Sequence, residues 1–176
     1  PAKNRFFYSY GNKNSYEKKN DKEINLAEVK KKELKEIVAV TYSDKLKPQI
    51  IDIHKRFKVN RYKKMKSSYK FCVIATDEYD LYVAEARACE WDIAAGHAIL
   101  QHSGGSVTDF DNNEILYGKK DFKNPSLIVK SKSIKHEWTI KNNINYCSFG
   151  FYIWIINFCI CKKLYKTEIK FLFKKK

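Results

Sequence analysis

The chain has 176 residues, of which 44% are hydrophobic and 15% aromatic, and its formal net charge is +15. This apolar content is enough for the core of one ordinary domain and supports a globular chain. The five cysteines, at positions 72, 89, 147, 159 and 161, do not have zinc-ligand spacing, and they are typical of small buried hydrophobic residues in a reducing compartment.

The positive charge is unevenly distributed along the chain. Residues 1–133 contain 26 basic and 18 acidic side chains, whereas residues 134–176 contain 9 and 2. The most concentrated stretch, residues 45–70, holds ten basic residues opposed only by Asp52. We expect most of these side chains to form a solvated face. A part of the stretch could attract a polyanionic nucleotide, because a positive field raises the rate of encounter with phosphates.

A nucleic-acid-binding module is an alternative explanation of the charge. The sequence does not favour it, since the basic residues are not interleaved with aromatic residues as they are in an RNA-binding strand. We therefore expect a small phosphorylated molecule, and not a nucleic acid, as the partner of this surface.

The first third of the chain predicts a hairpin, a polar surface excursion and a buried strand. The hairpin is indicated by two extended runs around a Gly-Asn turn, and the buried strand by an unbroken apolar run. The predicted bounds are 5–10 and 15–16 for the hairpin strands, 17–36 for the excursion with a short helix over 26–32, and 37–42 for the buried strand.

The next segments alternate between helix and strand. Ser43 or Asp44 is predicted to cap a helix with Pro48 in its first turn and with Ile50, Ile51, His54 and Phe57 on one face. Strands are predicted over 71–75, 81–84, 107–110, 114–116 and 127–129, and a helix over 90–102 that ends at Gly104 in the left-handed conformation. This alternation predicts an α/β fold, a layered α/β sandwich with a mixed sheet.

The most informative segment is the start of the predicted helix over 90–102. Asp92 lies at the point where a predicted strand ends and a predicted helix begins. The helix is rich in small residues, namely Ala94, Ala95, Gly96 and Ala98, which suit close packing on a sheet. A carboxylate at a helix N-terminus accepts free backbone N–H groups and stays ionised. Asp92 is therefore well placed to hold a hard divalent cation. The neighbouring Trp91 is expected to pack in the core, and His97 is not expected to be a metal ligand.

Four motifs in this sequence resemble those of one enzyme family. W-D-I-A-A-G at 91–96, followed by Gly104-Gly105, resembles the C-terminal signature of the inositol monophosphatase superfamily of magnesium-dependent, lithium-sensitive phosphatases. S-S-Y-K-F-C at 67–72 is similar to a segment of its CysQ-type branch, the 3′(2′),5′-bisphosphate nucleotidases. L-Y-G at 116–118 and F-K-N-P at 122–125 resemble the elements that close the same branch.

The resemblance implies a fold and a domain organisation. Residues 1–133 would be the C-terminal portion of an inositol monophosphatase-like, sugar-phosphatase domain, and residues 134–176 an unmatched basic and aromatic tail. Family members begin with a segment that supplies a metal-binding Glu and an Asp-Pro-x-Asp-Gly-Thr loop, and this sequence contains neither. The chain is therefore interpreted as a fragment, which we expect to be inactive alone.

The resemblance also implies an activity and its residues. The expected reaction is the Mg²⁺-dependent removal of the 3′-phosphate of adenosine 3′,5′-bisphosphate, as in sulfur metabolism, with inositol-1-monophosphatase activity as the alternative. Asp92 would ligate Mg²⁺ beside the substrate. Proteins of the CysQ-type branch have a Tyr-Pro-Arg triplet at the position where this chain has Tyr82-Val83-Ala84. Arg87 would take the place of the missing arginine. The residues assigned to substrate binding are Asp92, Ser67, Ser68, Lys70 and Arg87.

The apolar run over 146–161 raises the alternative of a membrane anchor. Its sixteen residues fall short of the ~20 that a helix needs to cross a bilayer. The tail is rich in Ile, Lys, Asn, Phe and Tyr, which favours an extension encoded by AT-rich sequence over an evolved anchor. The predicted location is the cytoplasm, with peripheral attachment to the cytoplasmic face of the inner membrane as the alternative.

Overall fold

The computed structural model describes residues 3–12 and 14–134. The predictions for the tail over 134–176 therefore lie almost wholly outside the described residues. Within the described part, no helix is long and apolar enough to cross a membrane.

The first layer is a three-stranded antiparallel sheet. Its strands are β1 (Arg5–Ser9), β2 (Ser15–Lys19) and β3 (Lys22–Asn25), in that order. The predicted hairpin between β1 and β2 is confirmed, with Gly11 at a φ of 57° in its turn. The short helix predicted over 26–32 is wrong. Residues 26–28 form a turn, and no helix follows them over 29–32. Earlier in the predicted surface excursion, Asn20 and Asp21 both adopt positive φ, which suits a tight two-residue turn, and the chain returns as β3.

The second layer is a five-stranded mixed sheet in the order β5-β4-β6-β8-β7. Strands β4 and β5 are parallel, as are β4 and β6, whereas β8 is antiparallel to both β6 and β7. β6 is central and all four of its residues are buried, whereas β5 lies at an edge. The strand bounds are β4 Ile37–Thr41, β5 Val59–Lys64, β6 Leu81–Ala84, β7 Ser106–Thr108 and β8 Leu127–Lys130.

Within residues 3–12 and 14–134, three helices complete the layers: α1 (Pro48–Arg56), α2 (Tyr69–Ala75) and α3 (Glu90–His102). α1 packs on one face of the five-stranded sheet, while α2 and α3 pack on the other face. α3 also contacts the three-stranded sheet, where the Ser15 hydroxyl donates to the carbonyl of Ile99 at 2.8 Å. The described part of the chain is therefore a layered α/β sandwich, as the sequence predicted.

The segment over 71–75 was predicted to be a strand, and it is the core of α2. An apolar run of five residues does not distinguish a buried strand from a buried helix, because both are covered on more than one side. Here the run is enclosed between the five-stranded sheet and α3. A Cβ added at Gly96 would lie 2.8 Å from the Cβ of Phe71, so the close approach that requires this glycine is between two helices.

Other details of the prediction differ from the structure. Helix α3 has the predicted bounds, and Gly104 after it has a φ of 95°. However, its Ala94 and Ala95 are exposed and do not pack on the sheet. Trp91 is 68% exposed, so its prediction as a core residue is wrong.

The remaining errors are local. Lys47, and not Ser43 or Asp44, occupies the position before α1, and its side chain forms no capping hydrogen bond. Ile53 and not Ile51 lies on the buried face of this helix. The strand predicted over 114–116 is a single bridge between Thr108 and Glu114. Edge strand β5 was not predicted, because four of its six residues are polar or charged and give no apolar pattern. Within this strand only Val59 is partly buried, and the other five residues are exposed to solvent.

Candidate active site

A cavity of about 410 Å³ lies at the carboxyl ends of the parallel strands. It is bounded by the loop between β5 and α2, the loop after β6 and the start of α3. Clefts at this edge of an α/β sheet are common ligand sites, because loops from neighbouring strands converge there. The cavity is lined by all five residues singled out from the sequence, Ser67, Ser68, Lys70, Arg87 and Asp92, together with the apolar residues Phe71, Ala84, Ile93 and Leu127.

Asp92 lies in the first turn of α3. Its Oδ2 accepts the backbone N–H of Cys89 at 2.8 Å, so the side chain caps the helix. The residue is exposed, and this bond uses only one of its two carboxylate oxygens. Capping and metal binding are therefore compatible at this position, since the cap also fixes the direction of the carboxylate.

Lys70 is the most buried of the five residues, with 4% of its surface exposed. Its Nζ donates to the carbonyl of Ser67 at 2.6 Å and to that of Met65 at 3.3 Å, and it lies 4.9 Å from the centroid of the Tyr82 ring. Burial, and secondarily the charge of Arg87, lower the pKa of Lys70 to about 8. The ammonium group is therefore short of negative partners, which favours an anion in the cavity.

The two serines lie in the loop that leads into α2. Ser67 has a φ of 72°, a left-handed conformation that costs a non-glycine residue about 1 kcal/mol. Its hydroxyl accepts the N–H of Tyr69 at 3.2 Å, and its carbonyl accepts the ammonium of Lys70. These bonds hold the strained loop against the cavity. Strain of this kind is often retained at binding sites.

Arg87 lies in the loop after β6. Its guanidinium stacks on the ring of Tyr42, and the Tyr42 hydroxyl donates to Glu85 at 3.2 Å. Tyr42 and Glu85 were not singled out from the sequence. The signal that could have found them is their position, because each directly follows the carboxyl end of a parallel strand.

The donor set for a divalent cation is suitable in kind and incomplete in number. Asp92 offers a carboxylate oxygen, which Mg²⁺ prefers. Among the described residues, however, no group of three or more His, Cys, Asp or Glu side chains is arranged to hold a metal ion. The described residues alone therefore do not form a magnesium site, and Asp92 could supply one ligand of a larger one.

Comparison with known proteins assigns the chain to a family. The model of the inositol monophosphatase family matches residues 1–145. The chain belongs to this family. The proteins it resembles include CysQ proteins, the branch whose motif the S-S-Y-K-F-C segment at 67–72 resembles.

Three similar proteins illustrate the match. A CysQ 3′(2′),5′-bisphosphate nucleotidase of Buchnera aphidicola is 39% identical over 62 residues, which are 35% of this chain and 23% of that protein. A protein from the pss 5′ region of Rhizobium leguminosarum is 43% identical over 68 residues, 35% of this chain and 72% of that protein. The crystal structure of CysQ from Bacteroides thetaiotaomicron, described as a bacterial member of the inositol monophosphatase family, superposes with a TM-score of 0.61 at 26% identity.

The coverage of these matches is partial. The superposition includes 75% of this chain and 55% of the Bacteroides protein, so the chain spans about half the length of its structural relative. This protein therefore belongs to the inositol monophosphatase family, and its sequence corresponds to only a part of these longer relatives.

Proposed function

We propose that this chain, combined with the remaining part of a family domain, is a Mg²⁺-dependent phosphatase that removes the 3′-phosphate of adenosine 3′,5′-bisphosphate. The observation that carries the proposal is the convergence of Ser67, Ser68, Lys70, Arg87 and Asp92 on one cavity. The substrate is proposed from the CysQ-type similarity, since the relatives with this name are 3′(2′),5′-bisphosphate nucleotidases.

The basic side of the cavity is suited to phosphate groups. Arg87 presents a planar guanidinium that can bind two phosphate oxygens, while Lys70 presents a point charge. The lowered pKa of Lys70 reflects a cost that a bound phosphate would remove, because the anion offsets both the burial and the repulsion by Arg87. Ser67 and Ser68 can donate hydroxyl hydrogen bonds to the same group or to the ribose.

The acidic side of the cavity is suited to a metal ion. In the proposal, Asp92 supplies one carboxylate ligand and the rest of the family domain supplies the others. These ligands together would hold Mg²⁺, which would supply polarisation of the phosphoryl group and activation of water. One carboxylate does not fix the geometry of Mg²⁺, so we expect the chain alone to be inactive.

The test is to assay the chain alone and combined with the N-terminal part of the Bacteroides CysQ. Phosphate release from adenosine 3′,5′-bisphosphate and from inositol monophosphate is followed side by side, with and without Mg²⁺ and Li⁺. We expect activity only in the combined protein, only with Mg²⁺, and higher with the nucleotide. A preference for inositol monophosphate would move the assignment to the other branch, and turnover without metal would contradict the mechanism.

A matched pair of variants tests the role of Asp92. Asp92→Asn removes one ligand charge while keeping a hydrogen-bond acceptor for Cys89, so the helix cap remains. We expect it to abolish Mg²⁺-dependent turnover in the combined protein. Asp111→Asn removes an exposed carboxylate that does not line the cavity and should leave turnover unchanged.

A further inference from the structure

The side-chain amine of Lys70 is held by neutral acceptors. Its Nζ donates to two backbone carbonyls, that of Ser67 at 2.6 Å and that of Met65 at 3.3 Å. Within the described part of the chain, no carboxylate pairs with this nitrogen. A neutral amine keeps both bonds, because it has two N–H groups, and its lone pair then remains free. The two carbonyls therefore fix the position of the amine without requiring it to be protonated.

This amine lies among residues that line the candidate active site. Lys70 itself is a lining residue, and so are Ser67, which accepts its hydrogen bond, and Tyr82, whose ring centroid lies 4.9 Å from its Nζ. Burial, and secondarily the charge of Arg87 in the same lining, lower the pKa of Lys70 to about 8. A lysine that is desolvated beside another cation is activated as a nucleophile, because more of its amine is neutral at neutral pH.

A second buried lysine shows what the cavity adds. Lys132 is 7% exposed and Lys70 4% exposed, and the Nζ of Lys132 also donates to two carbonyls, those of Leu26 and Val29. Burial lowers the pKa of Lys132 as well. Lys132 does not line the cavity, however. The two lysines are therefore similar as buried amines and differ in their access to a ligand in the cavity.

The other lining residues determine which molecules come close to this amine. Arg87 and the hydroxyls of Ser67 and Ser68 are suited to phosphate oxygens, and Phe71 and Leu127 present apolar surface. The volume of about 410 Å³ is in the range of small-molecule sites. A phosphorylated molecule bound here lies beside a nucleophilic nitrogen. If the molecule also carries an aldehyde, an amine of this kind forms an imine with it.

We propose that Lys70 is a site of covalent modification by aldehydes that carry a phosphate group. The inference rests on the proposed role of the cavity in binding phosphate esters. The lone pair of Nζ attacks the aldehyde carbon, a C–N bond forms, and one proton moves from nitrogen to oxygen to give a carbinolamine. The carbinolamine loses its hydroxyl and the remaining N–H proton as water, which leaves the imine. Amine and aldehyde thus give imine and one water, and the product occupies the cavity and excludes a phosphorylated substrate.

The test treats the full chain, without metal, with pyridoxal 5′-phosphate. Borohydride then reduces the imine to a stable amine, and peptide mass spectrometry measures the rate at each lysine. We expect Lys70 to react at least about tenfold faster than the exposed Lys63, because more of its amine is neutral, and Lys132 to react no faster than Lys63. Equal rates at Lys70 and Lys63, or at Lys70 and Lys132, would overturn the proposal.

Two ligand controls test the role of the phosphate. Pyridoxal, which lacks the phosphate, should modify Lys70 much more slowly than pyridoxal 5′-phosphate does. Inorganic phosphate should protect Lys70 and leave the rate at Lys63 unchanged. Equal rates with the two aldehydes, or no protection by phosphate, would contradict binding of the aldehyde through its phosphate.

Variants separate the amine from the phosphate-binding group. Lys70→Arg keeps the positive charge and removes the primary amine, so the fast reaction should disappear. Arg87→Ala keeps the amine and should slow its reaction about tenfold, the effect of one lost charge-assisted hydrogen bond. Arg87 is exposed, so this variant provides the test even if Lys70→Arg fails to fold. Lys63→Arg is the control and should leave the rate at Lys70 unchanged, whereas an unchanged rate in Arg87→Ala would refute the site.

The modification requires neither Mg²⁺ nor turnover, so its failure is distinct from a failure of the proposed phosphatase activity. A combined protein that hydrolyses adenosine 3′,5′-bisphosphate but does not react selectively at Lys70 would contradict only this inference. A combined protein that reacts selectively at Lys70 but does not hydrolyse the nucleotide would contradict only the proposed activity.

Discussion

The guanidinium of Arg87 lies over the ring of Tyr42, with its Cζ 3.8 Å from the ring centroid. Tyr42 is held in turn by Glu85, which accepts its hydroxyl and forms an ion pair with Lys47 at 2.7 Å. Tyr42 follows β4 and Glu85 follows β6, which are neighbouring parallel strands, so the sheet sets the spacing between them. The position of Arg87 in the cavity therefore depends on an aromatic residue of the adjacent strand.

The first prediction concerns Tyr42 as a positioning residue. In the combined phosphatase, Tyr42→Leu should raise the KM for adenosine 3′,5′-bisphosphate about fivefold with a smaller change in kcat, because a cation–π contact of about 1 kcal/mol is lost. Tyr42→Phe keeps the ring face and loses only the bond to Glu85, so its KM should stay close to that of the parent. Equal effects of the two substitutions would show that the ring does not orient Arg87.

The second prediction concerns the charge of Lys70. Its pKa of about 8 has burial as the larger cause and Arg87 as the smaller one. Arg87→Ala should therefore raise the pKa only part of the way towards the ordinary value of 10.5, as followed by the ¹³C shift of the Lys70 side chain. A pKa in this variant equal to that of the exposed lysines would contradict the assigned cause.

The lowered pKa of Lys70 also makes the free energy of unfolding depend on pH. Between about pH 8 and 10.5, the unfolded chain holds a proton on Lys70 that the folded protein has released. Lys70 therefore contributes a rise in the free energy of unfolding with pH in this range, and Lys70→Met, which lacks this contribution, should gain less stability or lose more than the parent as the pH rises. Denaturant titrations of the two proteins at pH 7.5, 9 and 10 measure the difference.

The sequence predicted the layered α/β architecture correctly, but it did not predict the secondary structure of α2 or its close contact with α3. Helix α3 was predicted with its observed bounds, because it has a strong N-terminal signal at Asp92 and a glycine stop. α2 was not, since an apolar run of five residues satisfies the requirements of a buried strand and of a buried helix equally well. Lys70 and Asp92 were assigned to the site from sequence motifs and not from secondary structure, so the wrong prediction for α2 did not change these assignments. Arg87 was assigned as a substitute for an arginine that the family motif has and this sequence lacks, whereas its contact with Tyr42 depends on strand pairing that the sequence does not display.

The fourth prediction concerns the contact between α2 and α3. A Cβ at residue 96 would lie 2.8 Å from both Cβ and Cγ of Phe71, which is closer than such atoms can approach. Gly96→Ala should therefore force the helices apart and lower the free energy of unfolding by about 1–3 kcal/mol. Ala95→Leu adds a larger side chain on the exposed face of the same helix, and its effect should stay within about 0.5 kcal/mol. Urea unfolding followed by circular dichroism compares the two, and equal stabilities would refute the close contact.

The last prediction concerns Glu90, which ties the loop at 116–119 to α3. Its carboxylate accepts the backbone N–H groups of Gly118 at 2.9 Å and Lys119 at 3.0 Å, and it also pairs with the Lys119 ammonium. The bond from Lys119, with these amides, lowers the pKa of Glu90 to about 2. The stabilisation that follows is fully present above the ordinary value of 4.5 and is lost as the pH falls towards 2.

Glu90→Gln should therefore be less stable than the parent at pH 7, and the difference should shrink as the pH approaches 2. The amide hydrogens of Gly118 and Lys119 should exchange faster in the variant, because an amide oxygen is a weaker acceptor than a carboxylate. The loop also carries Tyr117, whose hydroxyl lies 2.8 Å from His97 Nδ1, so the His97 ring resonances should shift as well. Glu33→Gln, a change of the same type at an exposed position away from this loop, is the control. A stability difference that persists undiminished at pH 2.5 would mean that the charge of Glu90 does not hold this loop.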